Sequence, residues 1–175
     1  MNYADQARDV IDIEIQGLQK VSRSLGPEFD RAIEALLRCV AAGGKIIVTG
    51  IGKNLPVGQK IAATLTSTGS PSVFLHATDA LHGELGILAD GDVLLALSYS
   101  GESDELRALL PAVKRRNVTI ISITGSSDNF LACCTDTVTP VIYARSPRPV
   151  RMAPIVRATA TLAVGDALAM VLIEA

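Results

Sequence analysis

Five short, uninterrupted apolar runs, separated by stretches with helical spacing, constrain this chain more than any other feature. The first is Lys45–Thr49 (KIIVT), closed by Gly50. The others cover about 72–76, 92–98, 118–123 and 137–142. A continuous β-branched run of this length reads as a strand buried on both faces, because a strand with one wet face alternates polar and apolar residues. Helical segments lie between them at about 55–68, 103–116 and 127–134, and a long one closes the chain from about 153 to 175. Two more precede the first run. Ile11, Ile15 and Leu18 repeat at helical spacing over 4–24, and Gly26-Pro27 opens a second helix with Ile33, Leu36, Leu37 and Val40 on one face, ended by Gly43-Gly44. Strands alternating with helices require parallel pairing and right-handed crossovers. The expected architecture is α/β: a three-layer, doubly wound, five-stranded parallel sheet in the order 2-1-3-4-5. A length of 175 residues fits one domain over 1–175, with N-terminal helices at 1–43 and an α/β core at 44–175.

Composition excludes several classes. Sixteen basic and 18 acidic side chains leave a formal charge of −2, which argues against nucleic acid as a partner. Cys39, Cys133 and Cys134 are odd in number and lack zinc-ligand spacing, and with only two histidines they argue against disulfides and a bound metal. The start of the chain has no basic-then-apolar leader pattern. The apolar C-terminal stretch is interrupted by Gly165-Asp166 before the roughly 20 residues a membrane span needs. The expectation is a cytoplasmic chain with no membrane partner and no cofactor. A mean hydropathy of +0.36 points to apolar surface covered by another subunit. The face formed by Ala160, Leu162, Ala163, Ala167 and Met170 could meet a partner or the chain's own core.

In a doubly wound sheet, ligands bind beyond the carboxyl ends of the strands. Three loops there carry chemistry. Gly50-Ile51-Gly52-Lys53-Asn54 lets backbone approach a ligand ahead of a helix N-terminus, which favours an anion. Leu55 stands where a dinucleotide fingerprint needs its third glycine, and no nucleotide-hydrolase phosphate loop exists. Lys53 either neutralises an anion or is an exposed first-turn lysine. Ser98-Tyr99-Ser100-Gly101-Glu102-Ser103 offers three hydroxyls that could surround a phosphate or form an elaborate helix cap. The third loop holds both histidines. His76 ends the second strand and His82 opens His82-Gly83-Glu84-Leu85-Gly86; imidazoles there suit acid–base work near neutral pH or structural hydrogen bonding.

The strings GIGK, IAATLTSTGSPSVFLH, HGELG, LALSYSGESDEL, LLPAVKRR and ATATLAVGDALA together resemble the sugar isomerase (SIS) domain, and within it the arabinose-5-phosphate isomerase subgroup. The resemblance implies aldose–ketose isomerisation of a sugar phosphate, without metal or cofactor, in a homodimer or homotetramer with shared active sites. By position it implies Lys53, His82 and Glu105 as catalytic residues. It places phosphate on Ser98, Ser100 and Ser103. The reading of the residues themselves adds Gly52, Asn54, Gly101, His76 and Arg157 as candidates for the binding set. The chain departs from the family pattern in four places. GKSG is here Gly52-Lys53-Asn54-Leu55, and SNSGE is SYSGE with Tyr99. Ser146 stands in place of a glutamate, and Ile155, Val156 and Arg157 replace much of a hydroxyl cluster opening the last helix. The HPGG extension with a further histidine, and the paired CBS domains, are not in this sequence. Arg145, Arg148, Arg151 and Arg157 either bind an anion or form a solvated basic loop. These departures keep open a second expectation: a phosphosugar-binding module without turnover, or an isomerase for another sugar phosphate.

Overall fold

A computed structural model of the chain describes residues 2–141 and 153–175, side chains from 156 onward in the second stretch. Ser146, Arg145, Arg148 and Arg151 lie outside the described residues. Helices α1 (Tyr3–Ser24) and α2 (Pro27–Ala41) lead into β1 (Ile46–Gly50), α3 (Asn54–Ser67), β2 (Ser72–His76) and α4 (Ala77–Leu81). A 3-10 turn at Glu84–Ile87 precedes β3 (Val93–Ser98), α5 (Asp104–Val113), β4 (Thr119–Thr124), α6 (Phe130–Cys133), β5 (Thr137–Pro140) and α7 (Ala153–Glu174). The five strands are all parallel, in the order β2-β1-β3-β4-β5. Strand order reverses between β1 and β3, so the loops after these two strands flank the switch point.

The apolar runs of β1 and β3 each fill two cores at once. Ile46 and Val48 of β1, and Val93, Leu95 and Leu97 of β3, pack with α1, α2, α3 and α7 on one face. Ile47, Leu94 and Ala96 pack with α4, α5 and α6 on the other. The period-2 alternation of a strand divides the side chains this way, and burial on both faces demands that both sets be apolar.

The amino ends of the strands are held by carboxylates. Asp92, 2% exposed, accepts from the Lys45 amide at 2.9 Å and the Ala89 amide at 2.8 Å, and pairs with Lys45 Nζ at 2.7 Å. It therefore fastens the start of β1 to the start of β3. Burial alone would raise its pKa, but the Lys45 ammonium and the two amide donors outweigh burial and hold the carboxyl below its ordinary range. Asp136 does the same between β4 and β5, accepting from the Ile120 amide at 2.8 Å while its own amide donates to the Ile120 carbonyl at 2.8 Å.

Helix α7 runs unbroken through Gly165-Asp166, as the long helix expected over about 153–175 requires, whereas the break expected in its apolar content does not hold. By length and composition, Val156–Glu174 is enough to cross a membrane. Tertiary contacts explain both the continuity and the apolar content. A Cβ at Gly165 would lie 2.4 Å from Ile61 Cγ1, so the missing side chain is what lets α3 approach, and Asp166 pairs with Lys60 of α3. Ala160, Val164, Leu168 and Ala169 face the core. Of the face considered for partner contact, Ala160 is buried, Leu162, Ala163 and Ala167 are half-buried, and Met170 is 51% exposed.

Asp92→Ala strands the Lys45 ammonium and two amides, and should cost about 3–5 kcal/mol in urea unfolding at pH 7. Because the folded-state pKa of Asp92 is depressed, its contribution is present above about pH 4 and is lost as pH falls through the folded value. The variant should therefore lose less stability than the wild type between pH 5 and pH 3. Parallel acid losses would contradict the role given to Asp92.

Candidate functional site

The carboxyl edge of the sheet gathers the loops after β1, β3 and β4 against the first turns of α7. After β1, Gly52 adopts a left-handed φ of 58°, and the Asn54 and Leu55 amides donate to the Ile51 and Gly52 carbonyls to start α3. Asn54 turns sideways, its Nδ2 donating to the Leu97 carbonyl at 3.2 Å. Its side chain thus braces the end of β3.

After β3, Ser98 is 3% exposed, and its Oγ accepts from the Gly101 amide at 3.1 Å and lies 3.1 Å from Ser103 Oγ. Ser103 occupies the N-cap of α5 without a side-chain capping hydrogen bond. Of the two readings of this loop, Ser103 does not adopt the cap; its hydroxyl stays beside Ser98 at the helix N-terminus, where donors and the helix dipole favour an anion. Ser100 is exposed, with the Glu102 amide 3.4 Å from its Oγ. Gly101 has φ 69°, and a Cβ there would fall 2.1 Å from Asn129.

The loop after β4 was not among those the sequence singled out. Its Asn129 caps α6 by accepting from the Ala132 amide at 2.9 Å, and its Nδ2 donates to Thr124 Oγ1 at 2.6 Å. It forms the floor beneath Gly101. Gly125 of the same loop receives the Tyr99 ring, which a Cβ would meet at 2.7 Å. The signal was available: Gly125-Ser126-Ser127-Asp128-Asn129 is a glycine-opened polar run at the carboxyl end of a strand.

These loops enclose a cleft of about 400 Å³ lined by residues 51–54, 98–100, Ser103, Arg157 and Ala158. That volume is in the range of small-molecule sites. Two cations, Lys53 and Arg157, stand in its wall, with no acidic side chain lining it among the described residues. Gly52, Lys53, Asn54, Ser98, Ser100, Ser103 and Arg157 are thereby brought together. His76, His82 and Glu105 are not. His76 Nδ1 accepts from the Thr78 amide at 3.3 Å and caps α4. His82 is exposed at the C-cap of α4, and Glu105 is half-buried in the first turn of α5. No group of three or more His, Cys, Asp or Glu side chains suited to a metal ion occurs among the described residues.

Residues 40–171 match the family model described as SIS domain. The chain is 39% identical over 175 residues to the arabinose 5-phosphate isomerase KdsD of Pseudomonas aeruginosa, covering all of this chain and 53% of that protein. It therefore spans about half the length of the curated relatives it matches. The structure of E. coli CFT073 c3406 in complex with arabinose 5-phosphate superimposes with a TM-score of 0.91 at 36% identity, over 99% of this chain and 93% of that one. The Vibrio vulnificus NanR protein complexed with ManNAc-6P shares the fold at 20% identity, with a TM-score of 0.80 over 98% of this chain and 63% of that one.

Gly101→Ala forces a Cβ into the left-handed region and onto Asn129, and should cost at least about 1–2 kcal/mol of stability. It should also weaken binding of inorganic phosphate to the folded fraction, measured by calorimetric titration. Wild-type stability together with wild-type affinity would show that the loop geometry is not under this constraint.

Proposed function

The chain belongs to the SIS domain family, and we propose that it is an aldose–ketose isomerase acting on a sugar phosphate of the arabinose 5-phosphate and ribulose 5-phosphate type. The observation that carries this reading is the cleft itself. It joins a serine loop at a helix N-terminus to Lys53 and Arg157, in a chain 36% identical over nearly its whole length to one whose structure holds arabinose 5-phosphate. The phosphate sits at Ser98, Ser100 and Ser103, with Gly52, Asn54, Gly101 and Arg157 shaping or charging its surroundings. Binding there orients the sugar with its reacting carbons away from the anchor. Isomerisation takes a proton from C2 of the aldose, passes through an enediolate, and returns a proton to C1. Glu105 or His82 carries that proton, and Lys53 stabilises the negative charge developing on the oxygens.

His82 and Glu105 stand outside the cleft of a single chain, so the reading includes self-association as a dimer or tetramer that completes the site from another copy. Leu81 and Ile87, which bracket His82 in sequence, are 42% and 39% exposed, as expected of side chains that a second copy covers. The enzyme is taken as cytoplasmic, with no cofactor and with neither nucleic acid nor membrane as partner. One observation favours a second reading: a cleft with phosphate-binding groups and, among the described residues, no imidazole or carboxylate in its wall suits a module that binds a phosphosugar without turnover.

NMR of the sugar anomers should show interconversion of arabinose 5-phosphate and ribulose 5-phosphate, and Glu105→Ala should lower kcat by about 10²–10⁴ if it relays the proton. No turnover, with a thermal shift on adding sugar phosphate, selects the binding module or another sugar. Light scattering at micromolar concentration should report a dimer or tetramer; a monomer would count against a shared site.

A further inference from the structure

Two of the departures from the family pattern, Tyr99 and Arg157, lie 58 positions apart in sequence and meet in space. The Arg157 guanidinium carbon sits over the Tyr99 ring, 4.2 Å from its centroid. We infer that Tyr99 is a positioning residue: its ring, seated on Gly125, holds Arg157 in the cleft wall as the cation that receives the ligand's phosphate. This rests on the reading that the cleft takes a phosphorylated sugar, and extends it by naming the device that replaces lost hydroxyls at the opening of α7.

The platform is fixed from below. The Tyr99 carbonyl accepts from the Gly125 amide at 2.9 Å and lies 3.5 Å from Thr124 Oγ1. A Cβ at Gly125 would fall 2.7 Å from Cε2 and Cζ of the ring, and 2.7 Å from the Tyr99 carbonyl oxygen, so only glycine lets the ring lie where it does. Arg157, two turns before the point where Gly165 admits α3, presents its guanidinium to that ring and to the same cleft as Ser100 and Ser103. Stacking engages the flat face of a guanidinium and confines a long, flexible side chain, while the in-plane N–H groups keep the fork geometry that matches two phosphate oxygens. A lysine would offer charge without the stack or the fork. The ligand class is therefore a phosphomonoester, and the work of Tyr99 is to reduce the freedom Arg157 would lose on binding it.

The test is calorimetric titration of the full chain with inorganic phosphate and with arabinose 5-phosphate. It reads binding alone, so a protein that binds phosphate but does not isomerise sugars counts against the proposed activity and not against this pair. Arg157→Ala should weaken phosphate binding about 10-fold or more. Tyr99→Leu should weaken it about 3–10-fold, and Tyr99→Phe, which keeps the ring, by less than about twofold. The double variant Tyr99→Leu/Arg157→Ala should bind within about twofold of Arg157→Ala, because the ring acts through the arginine. Unchanged affinity in Tyr99→Leu, losses that multiply in the double variant, or a wild type that does not take up phosphate would each overturn the inference. Should Tyr99→Leu fail to fold in a thermal melt, Arg157→Lys decides: a loss of about threefold or more sustains the pair, and wild-type affinity overturns it.

Discussion

A parallel sheet covered on both faces leaves polar chemistry only two places to go: the amino edge and the carboxyl edge. Every crossover in this chain starts at one and returns to the other, so the loops divide into two populations with different composition. The amino edge carries aspartates whose carboxylates are used up by backbone amides and Lys45. The carboxyl edge carries glycines and serines, whose small side chains leave a cleft open between β1, β3 and α7. Division of labour between scaffold and site thus follows from strand direction alone, before any residue is assigned a role.

The fold was legible because both-face burial writes itself into sequence as unbroken apolar runs. All five strands and the long helices fall where those runs and the 3.6-residue spacing place them, with ends shifted by up to three residues. Helix α4 and the 3-10 turn were not legible. They are five and four residues long, so no period can develop. The segment expected to be helical over 127–134 is reduced to four residues, because Asn129 caps it late and Thr137 begins β5 soon after. Gly165-Asp166 looked from sequence like a break in the apolar stretch, because the partners of these two residues lie on another helix, in Ile61 and Lys60.

The site was legible as loops and less so as side-chain roles. Position in a doubly wound fold singles out residues 51–54 and 98–103, and the cleft lies between them. What individual side chains do depends on distances that sequence does not encode. Asn54 spends its amide on Leu97, His76 spends an imidazole nitrogen on Thr78, and Ser98 also holds its own loop through the Gly101 amide. The loop after β4 escaped notice although the same rule pointed to it, because its residues support the others from beneath and carry no obvious reactive group. The stacking of Arg157 on Tyr99 is a tertiary fact, invisible when each departure is considered in its own motif.

The close contact of Gly165 with Ile61 has a bearing on timing. Eight residues separate Arg157 from Gly165, about 12 Å along α7 at 1.5 Å per residue. A helix pressed that tightly against α3 cannot shift at Gly165 without reopening the core. The cationic wall of the cleft is accordingly built in advance of the ligand. On the proposed reading, such a wall takes up an anion at a rate set by diffusion and charge, and its selectivity resides in how long the anion stays.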